Sequence, residues 1–201
     1  MKTHARVVVI GGGVVGVSTL YHLTKKGWSD VVLLERTELT AGSTWHAAGL
    51  LPLFNMSYTV GQLHKYSVDL YKKLPAETGQ DVSFHVTGNL RLATCRDRMD
   101  EYLKYCGTAN TIGVPFHVIS PKEVKELWPL VDLGGHGDTP AVIGALYHPD
   151  DGHIAPADLT MALRKAARSA GAEINEQTEV TSAVQLPSGE WKLTTNKGEI
   201  T

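Results

Sequence analysis

The stretch that decides the fold is Val7-Val8-Val9-Ile10-Gly11-Gly12-Gly13-Val14-Val15-Gly16. Its first four residues are all β-branched, which is typical of a strand buried on both faces of a parallel sheet. Gly11, Gly13 and Gly16 follow at once with the spacing Gly-x-Gly-x-x-Gly. A turn of this kind lets the backbone approach an anionic ligand, because the helix that follows carries partial positive charge at its N-terminus.

The residues after the glycines complete a strand–helix–strand unit. Residues 14–26 have apolar positions at helical spacing, and Val31–Leu34 is a second buried strand. Glu35 follows that strand at 35 − 16 = 19 positions after Gly16, close to the roughly 20 of a dinucleotide fingerprint. Such a carboxylate accepts hydrogen bonds from ribose hydroxyls. The alternative is a glycine-rich turn of an ordinary α/β protein. The fingerprint does not separate NAD from FAD, since both contain ADP.

Composition excludes several classes of protein. The 201 residues include 19 basic and 21 acidic side chains, for a net charge of −2, so a nucleic-acid binder is not expected. No run approaches the roughly 18 apolar residues of a membrane span. The two cysteines form no Cys-x-x-Cys motif, and the N-terminus resembles neither a signal nor a transit peptide. We therefore expect a reduced, cytoplasmic protein.

The hydrophobic pattern changes along the chain. A helix is predicted at 57–74, and strict alternation over 84–92 predicts one half-exposed antiparallel strand. A capping box at Ser120–Glu123 starts a short helix, Pro156 opens another, and the residues from Glu173 onward suggest hairpins. The change near residue 80 indicates a second domain inserted into the first. Because the pattern stops within a predicted β-meander, we expect the N-terminal part of a longer protein.

The segment from Glu35 to Leu50 is more specific than the glycine fingerprint. With its Gly-Ser-Thr-Trp-His-Ala-Ala-Gly core at 42–49, it resembles the FAD-dependent amine oxidoreductases of the D-amino-acid-oxidase superfamily. Within that superfamily it is most similar to the dimethylglycine and sarcosine dehydrogenase group. The resemblance covers essentially the whole chain, including Tyr147–Gly152.

The resemblance implies an α/β fold with a specific domain order. It implies a Rossmann-like, glutathione-reductase-like FAD-binding domain with an inserted antiparallel α+β substrate domain, and the chain would contain only part of it. Residues 1–80 would be the first FAD-binding segment, 81–147 part of the substrate domain, and 148–201 a truncated second FAD-binding segment.

The resemblance also implies roles for individual residues. His46 would be bonded covalently to the flavin 8α carbon, with the small residues after it admitting the ring; residue type alone favours a loop histidine bonded to backbone. Val180 would pair with adenine, and the alternative is an ordinary strand valine. The cofactor-binding residues expected from fingerprint and resemblance together are Gly11, Gly13, Val14, Val15, Gly16, Glu35, Arg36, Gly42, Ser43, Thr44, His46, Ala47, Ala48, Gly49, Leu50 and Val180.

A metal site is the other chemistry that the sequence could suggest. His148, Asp150, Asp151 and His153 lie within six residues, and imidazoles with carboxylates bind transition metals. Pro149 and Gly152 give the same segment a turn signature, which explains the aspartates without a metal. No metal site is predicted.

The function implied is oxidation of an N-methylated amine or amino acid, resembling dimethylglycine or sarcosine, by hydride transfer to flavin N5. The partners implied are a small amine substrate and either a folate-binding domain or an electron-accepting flavoprotein; nucleic acid and membrane are not expected. The catalytic base is expected beyond residue 201, so none is assigned. The alternatives are an NAD-dependent dehydrogenase, a non-covalent FAD amino-acid oxidase and a non-catalytic partial chain.

Overall fold

The computed structural model describes residues 1–136 and 141–201. These form two compact units: the first comprises residues 1–49, 73–83 and 155–201, and the second comprises 50–72 and 84–154. In chain order the elements are β1 (Val7–Ile10), α1 (Val14–Lys25), β2 (Val31–Leu34), β3 (Leu50–Leu51), α2 (Tyr58–Thr78), β4 (His85–Val86), β5 (Asn89–Ala93), α3 (Arg96–Ile112), β6 (His117–Ile119), α4 (Pro121–Leu127), β7 (Gly144–His148), β8 (Gly152–His153), α5 (Pro156–Ser169), β9 (Glu173–Asn175), β10 (Val180–Gln185), β11 (Trp191–Thr195) and β12 (Gly198–Ile200).

A parallel sheet of order β1-β2-β9 is the centre of the first unit. Val7 pairs with Val31, and Val32 pairs with Glu173. All four residues of the central strand β2 are buried, as its aliphatic run predicts. The expectation that β1 is buried on both faces is wrong for this sheet. Strand β1 lies at its edge, and Ile10 is 57% exposed.

Two helices and a small antiparallel sheet complete the first unit. Helix α1 packs against α5, and α5 begins at Pro156, where a missing N–H costs nothing. Strands β10, β11 and β12 form the predicted hairpins. Their turns contain Ser188-Gly189 and Lys197, as the turn residues indicate.

The second unit contains two antiparallel sheets, of order β5-β7-β6 and β3-β8-β4. Helix α3 packs on the first of these, and its buried Tyr102 and Tyr105 join Leu146 of β7 in one apolar core. Helix α4 starts with the predicted capping box, because Ser120 and Glu123 bond each other's backbone N–H.

The single strand predicted at 84–92 is wrong. The chain forms β4 and β5 instead, and they belong to different sheets. At the break Gly88 has φ +70°, and the N–H groups of Thr87 and Gly88 both donate to the Asp151 carbonyl. The alternation of apolar residues continues across this turn, so the pattern alone conceals it.

The compact units are not bounded where the sequence pattern changes. The predicted segments change at residues 80 and 147, whereas the second unit begins already at Leu50 and extends to Ile154. Both extensions have the same cause: β3 pairs with β8, so residues 50–51 and 152–153 join one sheet. Helix α2 runs from Tyr58 to Thr78, four residues beyond its predicted end. None of the helices in the described residues combines the length and apolar character needed to cross a bilayer.

Candidate functional site

A cleft of roughly 660 Å³ opens where β1 and β2 end and α1 begins. Volumes of about 300–1,000 Å³ are typical of small-molecule sites. The carboxyl end of a parallel sheet, beside a helix N-terminus, is the usual ligand position of this architecture. The cleft is lined by Gly11, Gly12, Gly13, Val14, Val15, Glu35, Arg36, Thr37, Ala41, Gly42, Ser43, Thr44 and Ala47.

The glycine turn has the geometry that its sequence demands. Gly11 has φ +106°, a region that side chains other than glycine rarely adopt. A Cβ built on Gly16 would lie 2.0 Å from the Gly11 carbonyl oxygen and 3.5 Å from Val9 Cγ1. Gly16 therefore admits no side chain, and its hydrogen allows α1 to pack directly on the strand and turn.

Thr44 caps helix α1 from a distant loop. The N-cap residue Gly13 has no side chain to offer, and the buried Thr44 Oγ1 accepts the Val14 N–H at 2.9 Å in its place. The next N–H, that of Val15, has no acceptor among residues 1–136 and 141–201. A free N–H at a helix N-terminus inside a glycine-lined cleft suits a phosphate oxygen. The residues present therefore fit the pyrophosphate of a dinucleotide.

Glu35 links the end of β2 to the glycine turn. Its Oε2 accepts the Gly12 N–H at 2.6 Å, and its Oε1 accepts both the N–H and the hydroxyl of Thr37. Partial burial alone would raise the pKa of Glu35, but the hydrogen bonds from Thr37 and Gly12 outweigh it and lower the pKa. Glu35 is therefore held as a carboxylate. A carboxylate oxygen has a second lone-pair site, so a ribose hydroxyl can still donate to it.

Sequence reasoning missed two residues of this arrangement, Gly12 and Thr37. A Cβ on Gly12 would lie 2.5 Å from Leu39 Cδ2 and 3.0 Å from Glu35 Cβ, so the middle glycine is as constrained as its neighbours. The fingerprint treats that position as variable. Thr37 was detectable as a hydroxyl residue two positions after the acidic one.

A second, smaller cleft of about 220 Å³ contains Val180. It shares Gly11, Glu35 and Arg36 with the larger cleft, and it is also lined by Thr178, Glu179 and the first residue of β10, Val180. The structure therefore brings Val180 beside Glu35 and Arg36, which are far from it in sequence.

The segment 41–50 is only partly in the larger cleft. Gly42, Ser43, Thr44 and Ala47 line it, whereas His46 and Ala48 are exposed and do not line it. His46 Nδ1 lies 3.0 Å from the Gly42 carbonyl oxygen. Gly49 has φ +73°, and Leu50 belongs to β3 in the second unit. Five of the sixteen expected residues line neither cleft. One is Gly16, which packs under the glycine turn, and the others are His46, Ala48, Gly49 and Leu50.

Comparison with known proteins agrees with this geometry. The family model described as FAD dependent oxidoreductase, DAO, matches residues 6–201. The chain belongs to this family. The dimethylglycine dehydrogenase of Rattus norvegicus is 44% identical over 199 residues, which are 99% of this chain and 22% of that protein. The sarcosine dehydrogenase of Homo sapiens is 41% identical over 182 residues, 90% of this chain and 19% of that protein.

The fold is also that of solved members of the family. The L-proline dehydrogenase from P. horikoshii superposes with a TM-score of 0.90 at 32% identity, covering 100% of this chain and 51% of that one. The chain thus spans about a fifth of the curated relatives and about half of this structure. The expected family, α/β fold and FAD cofactor class are confirmed; the individual site residues stay predictions.

The four residues considered for a metal lie in different surroundings. His148 and Asp151 are buried, whereas His153 is exposed, with its ring 5.1 Å from that of His85. Within the described residues, no group of three or more His, Cys, Asp or Glu side chains is arranged to hold a metal ion.

Proposed function

We propose that this chain provides FAD-binding residues of a protein that oxidises an N-methylated amine or amino acid by hydride transfer to flavin N5. The observation that carries the proposal is the cleft at the N-terminus of α1, with its glycine turn, Thr44 cap and ionised Glu35. Family membership and the dimethylglycine and sarcosine dehydrogenases among the relatives support the substrate class.

In this proposal the two clefts would hold different parts of the FAD molecule. Val14, Val15, Ser43 and Thr44 line the part of the larger cleft where the pyrophosphate would lie, and the Val15 N–H would be its backbone donor. Glu35 would accept from the ribose. Arg36 and Val180, in the smaller cleft, would hold the adenine edge. The binding energy in this proposal comes mainly from backbone N–H groups and the helix dipole.

His46 would be the point of covalent attachment. A carbonyl oxygen can only accept, so the 3.0 Å contact places a proton on Nδ1 when Gly42 is its partner. In neutral imidazole the other nitrogen, Nε2, then carries the lone pair and is the nucleophilic atom. The bound flavin supplies the hydride acceptor. The Gly42 carbonyl would keep Nε2 available for the flavin 8α carbon.

The substrate side of the proposal rests on the relatives. The chain covers about a fifth of their length, and no residue here is assigned as catalytic acid or base. Release of formaldehyde, a folate-binding domain and an electron-accepting flavoprotein are parts of the proposal. Cytoplasmic location is also a proposal, and the two free cysteines, Cys95 and Cys106, are consistent with a reducing compartment.

The test is acid denaturation of the protein made from its complete coding sequence, followed by flavin fluorescence of the washed pellet. We expect a fluorescent pellet, with the flavin on the peptide that contains His46. His46→Ala should release the flavin to the supernatant, whereas the control His117→Ala, an exposed histidine of the second unit, should not.

Other outcomes distinguish the alternatives. Flavin in the wild-type supernatant would favour a non-covalent FAD amino-acid oxidase. Absence of flavin from both fractions would overturn the proposal and favour the NAD-dependent alternative. A flavin-bearing protein that releases no formaldehyde from dimethylglycine or sarcosine would favour a non-catalytic chain or another amine.

A further inference from the structure

The second unit contains a cluster of four polar side chains, none of which lines either cleft. It consists of Arg91, Tyr105, His148 and Asp151. Tyr105 and His148 are fully buried, and Asp151 is 1% exposed. Such groups lose hydration on folding and need a compensating role.

The cluster holds both main-chain groups of one residue, Leu53. Asp151 Oδ1 accepts the Leu53 N–H at 2.9 Å, and the Tyr105 hydroxyl donates to the Leu53 carbonyl oxygen at 3.4 Å. His148 Nε2 lies 3.1 Å from the same hydroxyl. A buried peptide outside regular secondary structure is thus satisfied by side chains from α3 and from the turn after β7.

The positive charge of Arg91 favours the ionised form of Asp151. In the β5–β7 pair Arg91 lies opposite Leu146, and Asn89 lies opposite His148, so Arg91 and His148 share the face that packs on α3. The Arg91 guanidinium lies 4.5 Å from the centre of the Phe54 ring. Burial raises the pKa of Asp151, and the Leu53 N–H and Arg91 oppose that rise.

Among the described residues, the cluster leaves several of its own polar atoms unpaired, which is unfavourable in a buried site. Arg91 Nε, His148 Nδ1 and Asp151 Oδ2 are buried without a hydrogen-bond partner in the part of the chain that the structure describes. Apolar residues of similar volume often make a core at least as stable as a buried charged group does. What the polar cluster provides, and apolar residues would not, is a pair of hydrogen bonds that fix the geometry of the Leu53 peptide.

We propose that Asp151 and Tyr105, supported by Arg91 and His148, are positioning residues that lock the Leu53 peptide. They thereby fix the chain where it leaves the flavin motif, the segment from Glu35 to Leu50 that carries the family resemblance. Leu53 stands three residues after Leu50, where that motif ends. Restricting the Leu53 peptide removes conformations from the segment between them. This inference rests on the proposed function, because fixing the Leu53 peptide matters for the cofactor only if the segment before it binds flavin.

The test compares variants of the FAD-loaded protein made from its complete coding sequence. Asp151→Ala and Tyr105→Phe each remove one partner of Leu53. Asp151→Asn keeps an oxygen that can accept the Leu53 N–H. Asp150→Ala and Tyr102→Phe are matched controls, since Asp150 is the neighbouring carboxylate and the Tyr102 hydroxyl donates to Leu92 instead.

Two readouts are needed. The first is hydrogen exchange of the Leu53 amide, which we expect to accelerate about 5- to 100-fold in Asp151→Ala. The second is the visible absorbance and the covalently retained fraction of the flavin, which should change in Asp151→Ala and Tyr105→Phe. Asp151→Asn should restore both, and the controls should leave both unchanged.

The outcomes separate this inference from the proposed function. A wild-type protein without flavin overturns the proposed function and this inference with it. A flavin-loaded wild type whose Asp151→Ala and Tyr105→Phe variants keep the same spectrum and attachment overturns the inference alone. If Asp151→Ala does not fold, the comparison of Tyr105→Phe with Tyr102→Phe decides, because both variants keep the ring that packs in the core.

Discussion

At the scale of single residues, Gly16 is the most constrained glycine of the turn that borders the cofactor cleft. Its substitution by Ala would place a Cβ 2.0 Å from a carbonyl oxygen, so strand and helix must separate. We expect Gly16→Ala to lower the free energy of unfolding by ~2 kcal/mol or more, in the range of overpacking, and to abolish FAD retention. Chemical denaturation and flavin content measure the two effects.

Gly107 is the matched control, because it lies inside α3 and a Cβ there would meet no heavy atom of the described residues within 4 Å apart from its chain neighbours and the backbone of its own helix. Gly107→Ala should raise the free energy of unfolding by about 0.5–1 kcal/mol through helix propensity. Equal effects of the two substitutions would refute the packing argument for Gly16.

Thr44 gives a second residue-scale prediction. Thr44→Val keeps the shape of the side chain but removes the acceptor of the Val14 N–H. We expect a loss of about 1 kcal/mol in stability, as for other helix caps, together with weaker FAD binding. Thr44→Ser retains the hydroxyl and should behave like wild type in both denaturation and FAD titration; an equally stable Thr44→Val would show that the cap contributes nothing.

Residue identities in the glycine fingerprint were predictable from sequence because each follows from local backbone geometry. Thr44 was expected near the pyrophosphate, but its role as a cap of α1 was not, because it depends on a contact between residues thirty apart. Gly12 was missed for the same reason: its constraint comes from Glu35 and Leu39. Local spacing cannot reveal such through-space constraints.

At the scale of an element, the end of β7 and the turn after it hold two buried groups, His148 and Asp151, whose pKa values are shifted in opposite directions. Burial, assisted by Arg91, lowers the pKa of His148 from 6.5 to about 4, so its contribution to stability is lost as the pH falls from about 6.5 to 4. Burial raises the pKa of Asp151 from 3.8 to about 6, against the Leu53 N–H and Arg91, so its contribution is lost as the pH rises through 6.

The two contributions nearly cancel in the wild type, and single variants should expose them. His148→Gln should become more stable relative to wild type as the pH falls from 6.5 to 4, by ~3 kcal/mol. Asp151→Asn should become less stable relative to wild type over the same interval, by a similar amount. Urea denaturation at several pH values measures both. Single-variant curves parallel to that of wild type would contradict these shifts.

The sequence predicted some strand boundaries correctly and others wrongly. The parallel strands β1 and β2 were located correctly, because continuous aliphatic runs leave little freedom. The alternating stretch 84–92 was assigned to one strand, since side chains alternate on both sides of the break. Gly88 was the available signal: it has a positive φ, and a Cβ added to it would lie 2.7 Å from the Tyr147 ring, so both features require glycine.

At the scale of the whole molecule, the choice of dinucleotide can be tested by its effect on unfolding. In His46→Ala protein stripped of flavin, FAD at 100 times its Kd should stabilise the folded state by about 2.7 kcal/mol. NAD at the same concentration should leave the unfolding temperature unchanged. A larger shift with NAD than with FAD in differential scanning fluorimetry would contradict the assignment.

The boundaries of the compact units were the least predictable feature of the whole chain. The change from parallel to alternating patterns near residue 80 predicts an inserted domain, and that division stays a prediction. The limits of the compact unit depend on β3 and β8, two-residue strands that pair across about a hundred positions. Strands that short carry no periodicity, so only their pairing defines them.

The parallel sheet cannot be completed until most of the chain has been synthesised, because β9 is one of its three strands. Strand β2 pairs on one side with β1 and on the other with β9, and its partner at Val32 is Glu173, 141 residues later. At about 5–20 residues per second, a ribosome needs roughly 7–28 s to synthesise that interval. During this time the edge of β2 that pairs with β9 has no hydrogen-bond partner, and all four residues of β2 are aliphatic. Nascent chains of this protein should therefore depend on a chaperone that shields β2 until translation has passed Asn175.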